Sequence, residues 1–123
     1  MNPPPWSLLR QVATEETARL ISRLPSQIRA NIQKIPIIFE KFPNSALVAD
    51  GVEADVMGLF VGDDYPHESC DPMPTEIYLF LNNIWDEAHS EMSVFRAEVR
   101  NTLLHEWGHY LGLDEEELND REL

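Results

Sequence analysis

Val94-Phe95-Arg96-Ala97-Glu98-Val99-Arg100-Asn101-Thr102-Leu103-Leu104-His105-Glu106-Trp107-Gly108-His109-Tyr110-Leu111 repeats apolar residues at helical spacing, and Gly112 follows as a terminator. Setting residues about 100° apart places His105 and His109 on one stripe with Glu98 and Asn101 close to it. Val99, Leu103, Trp107 and Tyr110 fall on the opposite side. One face of this helix packs and the other carries polar chemistry.

Imidazoles four residues apart on a helix reach a common point, where one zinc ion accepts a nitrogen from each. Two ligands leave the site incomplete, so a third protein ligand is expected, with water in the fourth position if the site is catalytic. Gly112 can adopt the left-handed conformation that turns the chain back toward the metal, which brings Asp114, Glu115 and Glu116 into consideration. Glu115 is preferred because the turn must travel a short distance before a carboxylate returns; Asp114 and Glu116 are the alternatives. Glu106, beside His105, is expected to act as general base rather than ligand. It would take a proton from the activated water and pass it to a departing amine. Amide hydrolysis is the reaction implied, with zinc polarising the scissile carbonyl.

Composition narrows the setting. A chain of 123 residues is one domain's worth. Pro3-Pro4-Pro5 predicts an extended lead-in over 1–11, with a single domain over 12–123. The single cysteine, Cys70, excludes an intrachain disulfide, and no secretory leader pattern opens the sequence, so a reducing cytoplasm is the expected location. Twenty-two acidic against nine basic residues give a formal charge of -13, a surface that repels nucleic acid and anionic membranes. No apolar run has the length needed to span a bilayer.

The remaining elements are read from periodicity and punctuation. Val12, Leu20, Ile21 and Leu24 predict a helix stopping at Pro25, with a further short turn around Ile28 and Ile32. Ile35-Pro36-Ile37-Ile38-Phe39 reads as a strand that lies at an edge or begins after Pro36. Residues 41–55 read as a polar connection with a turn at Asp50-Gly51; Val56 to Val61 and Thr75 to Leu81 read as further strands, the second ended by Asn82-Asn83. Trp85 to Met92 is either a short helix or an irregular approach to the main helix, which Ser90 or Ser93 would cap. The loop between the last two strands holds His67, Cys70 and Asp71, in which Cys70 is expected to be an inert thiol. Trp85 and Trp107 are core candidates. Tyr78 and Tyr110 are expected to pack more than to donate to an oxyanion, and Arg96 and Arg100 to answer the acidic surface rather than substrate.

The segment Leu103 to Leu118, together with Met57-Gly58-Leu59-Phe60-Val61-Gly62 and Pro74-Thr75-Glu76-Ile77-Tyr78-Leu79-Phe80, resembles the minimal zincin-like metallopeptidases, a family of small bacterial proteins. Its H-E-x-x-H-x-x-G-x-x pattern is followed by an acidic residue, a place that Glu115 occupies. The resemblance implies an α+β fold, a small mixed sheet packed against an N-terminal helix and the long His-bearing helix. It also implies one zinc ion held by His105, His109 and Glu115, and a peptide or flexible protein segment as substrate. If Ile77 to Leu81 borders the cleft, its free edge would hold that peptide by strand addition. The competing reading is a non-catalytic zinc-binding or partner-binding protein, and a third is an interaction module with no metal.

Overall fold

The computed structural model describes residues 4–62 and 75–111. Its elements, in chain order, are α1 (Trp6–Arg23), α2 (Ser26–Ile32), β1 (Ile37–Glu40), α3 (Ser45–Ala49), β2 (Gly58–Val61), β3 (Glu76–Phe80), α4 (Leu81–Glu87) and α5 (Met92–Tyr110). The strands form one sheet in the order β1-β3-β2, with β1 parallel and β2 antiparallel to β3. This is the mixed sheet of an α+β fold.

Prolines punctuate the first half. Helix α1 begins at Trp6 with Pro5 at its N-cap, so residues 6–11 are helical and not the extended lead-in expected there. A helix tolerates proline at its entrance because the N–H there has no intrahelical partner. The gain from starting early is burial of Leu9, which heads the stripe Leu9, Val12, Ala13 and Glu16 at helical spacing. Leu24 is extended, at ψ 149, because it precedes Pro25, and α2 starts at once after that proline. Likewise β1 begins after Pro36 and lies at an edge of the sheet, as its sequence predicts.

Two short helices depart from the sequence reading. The connection 41–55 contains α3, whose N-cap Asn44 accepts a hydrogen bond from the Leu47 amide at 2.9 Å. Five residues are too few to show a helical period. Gly51, at φ 103, then makes the expected turn. Asn82 and Asn83 do not end a strand; they lie in the first turn of α4, which buries Leu81, Ile84, Trp85 and Ala88 on one stripe. The cap expected from Ser90 or Ser93 is absent: Glu91 is the N-cap of α5 without a side-chain bond. Ser90, at φ 62, instead shares with His89 the left-handed turn between the helices.

Cross-strand register sets which sheet face the helices cover. Ile77 pairs with Ile37 and Phe60, and Leu79 with Phe39 and Gly58, so these side chains share one face. Ile77 and Leu79 are fully buried there, in a core with Leu9, Val12, Phe95, Val99 and Leu103. Tyr78 and Phe80 stack on the other face, ring centroids 6.2 Å apart. Trp85 and Trp107 are both in the core, as expected.

Helix α1 is fixed to α5 by charge as well as by packing. Glu16 has no exposed surface, and its carboxylate accepts from Arg96 Nη1 at 2.9 Å and Arg100 Nη1 at 2.8 Å, with Arg19 Nη1 at 3.3 Å. Burial pushes this carboxyl up, but the hydrogen bonds from Arg100 and Arg96 and the charges of Arg100 and Arg19 outweigh it, holding the group below its ordinary value. Arg96 and Arg100 thus answer a buried acid rather than the acidic surface expected from sequence. The apolar stripe of α1 points at the position, since Glu16 continues the spacing of Leu9, Val12 and Ala13.

Candidate metal centre

Helix α5 carries His105, Glu106 and His109 to one cavity of about 490 Å³. Glu98, Asn101 and Thr102 continue the helix wall, and Val56, Met57 and Gly58 form the wall opposite. The imidazole rings lie edge to face, with centroids 4.6 Å apart and planes at 87°. Val99, Leu103, Trp107 and Tyr110 are buried on the other side, so the two faces read from the sequence are the two faces of the folded helix.

Glu106 is only 7% exposed although it lines the cavity. It reaches this depth because β2 lies close to α5 at a glycine. A Cβ placed on Gly58 would stand 2.7 Å from Thr102 Cγ2, 3.2 Å from Glu106 Cγ and 3.3 Å from the Tyr78 carbonyl oxygen. In sequence Gly58 is one residue of a strand; in the fold its missing side chain is what lets helix and sheet meet over the carboxylate.

Asn83, a strand terminator by its sequence, has a different place in the fold. It is 8% exposed, and its side-chain amide donates both hydrogens across the fold, to the carbonyl oxygens of Ala54 at 2.9 Å and Val56 at 2.8 Å. These bonds hold the segment that brings Val56 and Met57 to the cavity. A buried amide reaching a non-regular segment nearly thirty residues upstream leaves no local signature in sequence.

Among the described residues no three His, Cys, Asp or Glu side chains gather into a possible ion-holding group. Glu115, Asp114 and Glu116 lie outside the described residues, as do His67, Cys70 and Asp71. The donor set present, two imidazoles on consecutive turns facing one cavity, is chemically suited to zinc.

The strand-addition edge expected on β3 is not available, because β3 is central and both its edges are paired. Among the described residues the unpaired edge nearest the cavity belongs to β2. Neither Tyr78 nor Tyr110 lines the cavity. Tyr78 donates its hydroxyl to Glu76 Oε2 at 2.7 Å, and that bond, with burial and the charges of Glu76 and Glu40, raises its pKa. Tyr110 is buried with its ring 5.9 Å from that of Phe60.

Comparison with known families adds the decisive observation: a family model described as zincin-like metallopeptidase matches residues 32–123. The chain belongs to this family. The match spans β1 to α5, so the zincin-like unit includes the whole sheet and the histidine-bearing helix, while α1 precedes it. Glu16 thus ties a helix before the matched residues to the zincin-like helix α5. No curated protein matches the chain. Among the described residues, no helix of this zincin-like protein is long and apolar enough to cross a membrane.

Proposed function

We propose that the protein is a zinc-dependent peptidase that hydrolyses peptide bonds in peptides or flexible protein segments. The observation that carries this reading is the convergence of His105, His109 and the buried Glu106 on one cavity in a chain of the zincin-like family. His105 and His109 would hold the ion through one ring nitrogen each, and Glu115 is the proposed third ligand. When bound, zinc supplies Lewis acidity and lowers the pKa of a coordinated water.

The chain's own groups do the rest. The Glu106 carboxylate accepts a proton from the attacking water and returns it to the nitrogen of the departing amine. Its burial against Gly58 limits competing water and fixes its direction. The outer edge of β2 offers backbone groups to which an extended substrate can add as a further strand.

Substituting Glu106→Gln tests the assignment directly. Zinc measured on the purified protein should stay near one equivalent, while cleavage of an unstructured peptide mixture should fall by a factor on the order of 10³. Unchanged cleavage removes Glu106 as the base. His105→Ala should lose the zinc itself. Zinc bound by the unaltered chain with no cleavage of any peptide would establish the non-catalytic metal-binding reading instead.

A further inference from the structure

The cavity does not end at the histidines. It runs along α5 toward the start of the helix, where Asn101 and Glu98 belong to its lining, and Val56 and Met57 line the same cavity. Glu98 precedes His105 by two helical turns, so the two side chains share a stripe and start about 10.5 Å apart along the axis.

The charge of this end is uncompensated within the cavity. Arg96 and Arg100, which flank Glu98 on the same helix, turn their guanidinium groups to Glu16 on α1. No lysine or arginine is among the cavity's described lining residues, and among the described residues no hydrogen bond or ion pair engages the half-buried Glu98 carboxylate. Glu53 and Asp55, both exposed, adjoin the Val56 wall and add charge of the same sign. An extended peptide advances about 3.3 Å per residue, so the interval from His105 to Glu98 corresponds to about three residues.

We infer that this cleft selects peptides carrying a basic side chain about three residues from the cleaved bond, with Glu98 as the residue that sets the preference. The apolar stem of a lysine or arginine would lie on Val56 and Met57 while its cation meets the carboxylate. Asn101 offers a polar neighbour. The position relative to the cleaved bond rests on the peptidase reading; the affinity of the cleft for a cationic segment does not.

Two measurements test it. Internally quenched peptides with Lys, Gln or Glu at the third residue on either side of one bond are cleaved by the zinc-loaded protein and by its Glu98→Gln, Glu98→Lys and Glu87→Lys variants. The unaltered protein should prefer Lys over Glu by about fivefold or more in kcat/KM on one side of the bond. Glu98→Gln should erase that preference and Glu98→Lys reverse it. Glu87→Lys makes the same change of net charge at an exposed position on α4, and should keep the preference.

A preference unmoved by Glu98→Lys, or moved equally by Glu87→Lys, overturns the inference. One seen only with a free amino terminus at that position, and abolished by acetylation, assigns the cation to a peptide end and overturns it too. Binding of the same peptides to Glu106→Gln, with and without Glu98→Lys, is read by fluorescence anisotropy. Where no peptide is cleaved, the peptidase reading fails on its own, and these affinities decide: a Lys preference lost with Glu98→Lys upholds the cationic cleft. Equal or no binding removes it.

Discussion

Replacing Gly58 by alanine should push directly on Glu106 and thereby separate substrate chemistry from metal binding. The new methyl group would lie 2.7 Å from Thr102 Cγ2, where relaxed carbon contacts are about 3.5–4.0 Å, so the threonine methyl must retreat by about 1 Å. Thr102 is 8% exposed and β-branched on a helix, which leaves it little rotamer freedom. The Tyr78 oxygen at 3.3 Å is backbone within the sheet and cannot yield, so the strain falls on α5. Overpacking of this kind costs about 1–3 kcal/mol. Gly58 does not have positive φ, so alanine recovers about 0.5 kcal/mol through the unfolded chain, for a net loss near ~1.5 kcal/mol.

Urea denaturation should show this as a midpoint lowered by about 0.7 M at a slope of about 2 kcal/mol/M. Adding Thr102→Ala removes the closest contact, and a double-mutant cycle should return a favourable coupling of about 1 kcal/mol. In the proposed peptidase, Glu106 Cγ, 3.2 Å from the new methyl, must give by only a few tenths of an ångström, which lowers cleavage by less than the roughly 10²-fold of a full 1 Å misplacement. Zinc affinity, which in this proposal rests on His105 and His109, should change far less. A midpoint equal to that of the unaltered protein, or strictly additive effects of the two substitutions, would refute the close-approach argument.

Three further outcomes follow from the same packing. Glu16→Gln should destabilise by about 2 kcal/mol, below the about 3–5 kcal/mol for breaking a fully buried pair. The discount reflects Arg96 and Arg100, whose side chains are 33% and 35% exposed and can reach water. Thermal unfolding should fall by about 8 °C, whereas Glu15→Gln, at a side chain 45% exposed and 3.6 Å from Arg96, should shift stability by less than about 0.5 kcal/mol. Because the folded-state pKa of Glu16 is lowered, its stabilisation is complete above the ordinary value of 4.5 and is lost as pH falls through the lower folded value. The unaltered protein should therefore lose more stability on acidification than Glu16→Gln, and equal slopes in an acid series would contradict the pairing. Asn83→Ala should cost about 1–2 kcal/mol and speed amide exchange across residues 52–57; unchanged exchange there would show that the amide does not hold the cavity wall.

The histidine-bearing helix and its two faces were legible in sequence because a helix repeats locally, and i, i+4 spacing needs no distant partner to be meaningful. Pro25 and Pro36 likewise marked their boundaries through local sterics alone. Tertiary structure decided the rest. Only strand order shows β3 to be central and shifts the candidate substrate edge to β2, since pairing partners are not encoded within a strand. Glu16, Gly58 and Asn83 act across the fold, as a buried counter-charge, an absent side chain and a bridging amide. Each draws its meaning from groups brought near by folding, so chain order determined what chemistry α5 presents, and packing determined how deeply Glu106 sits and which wall faces it.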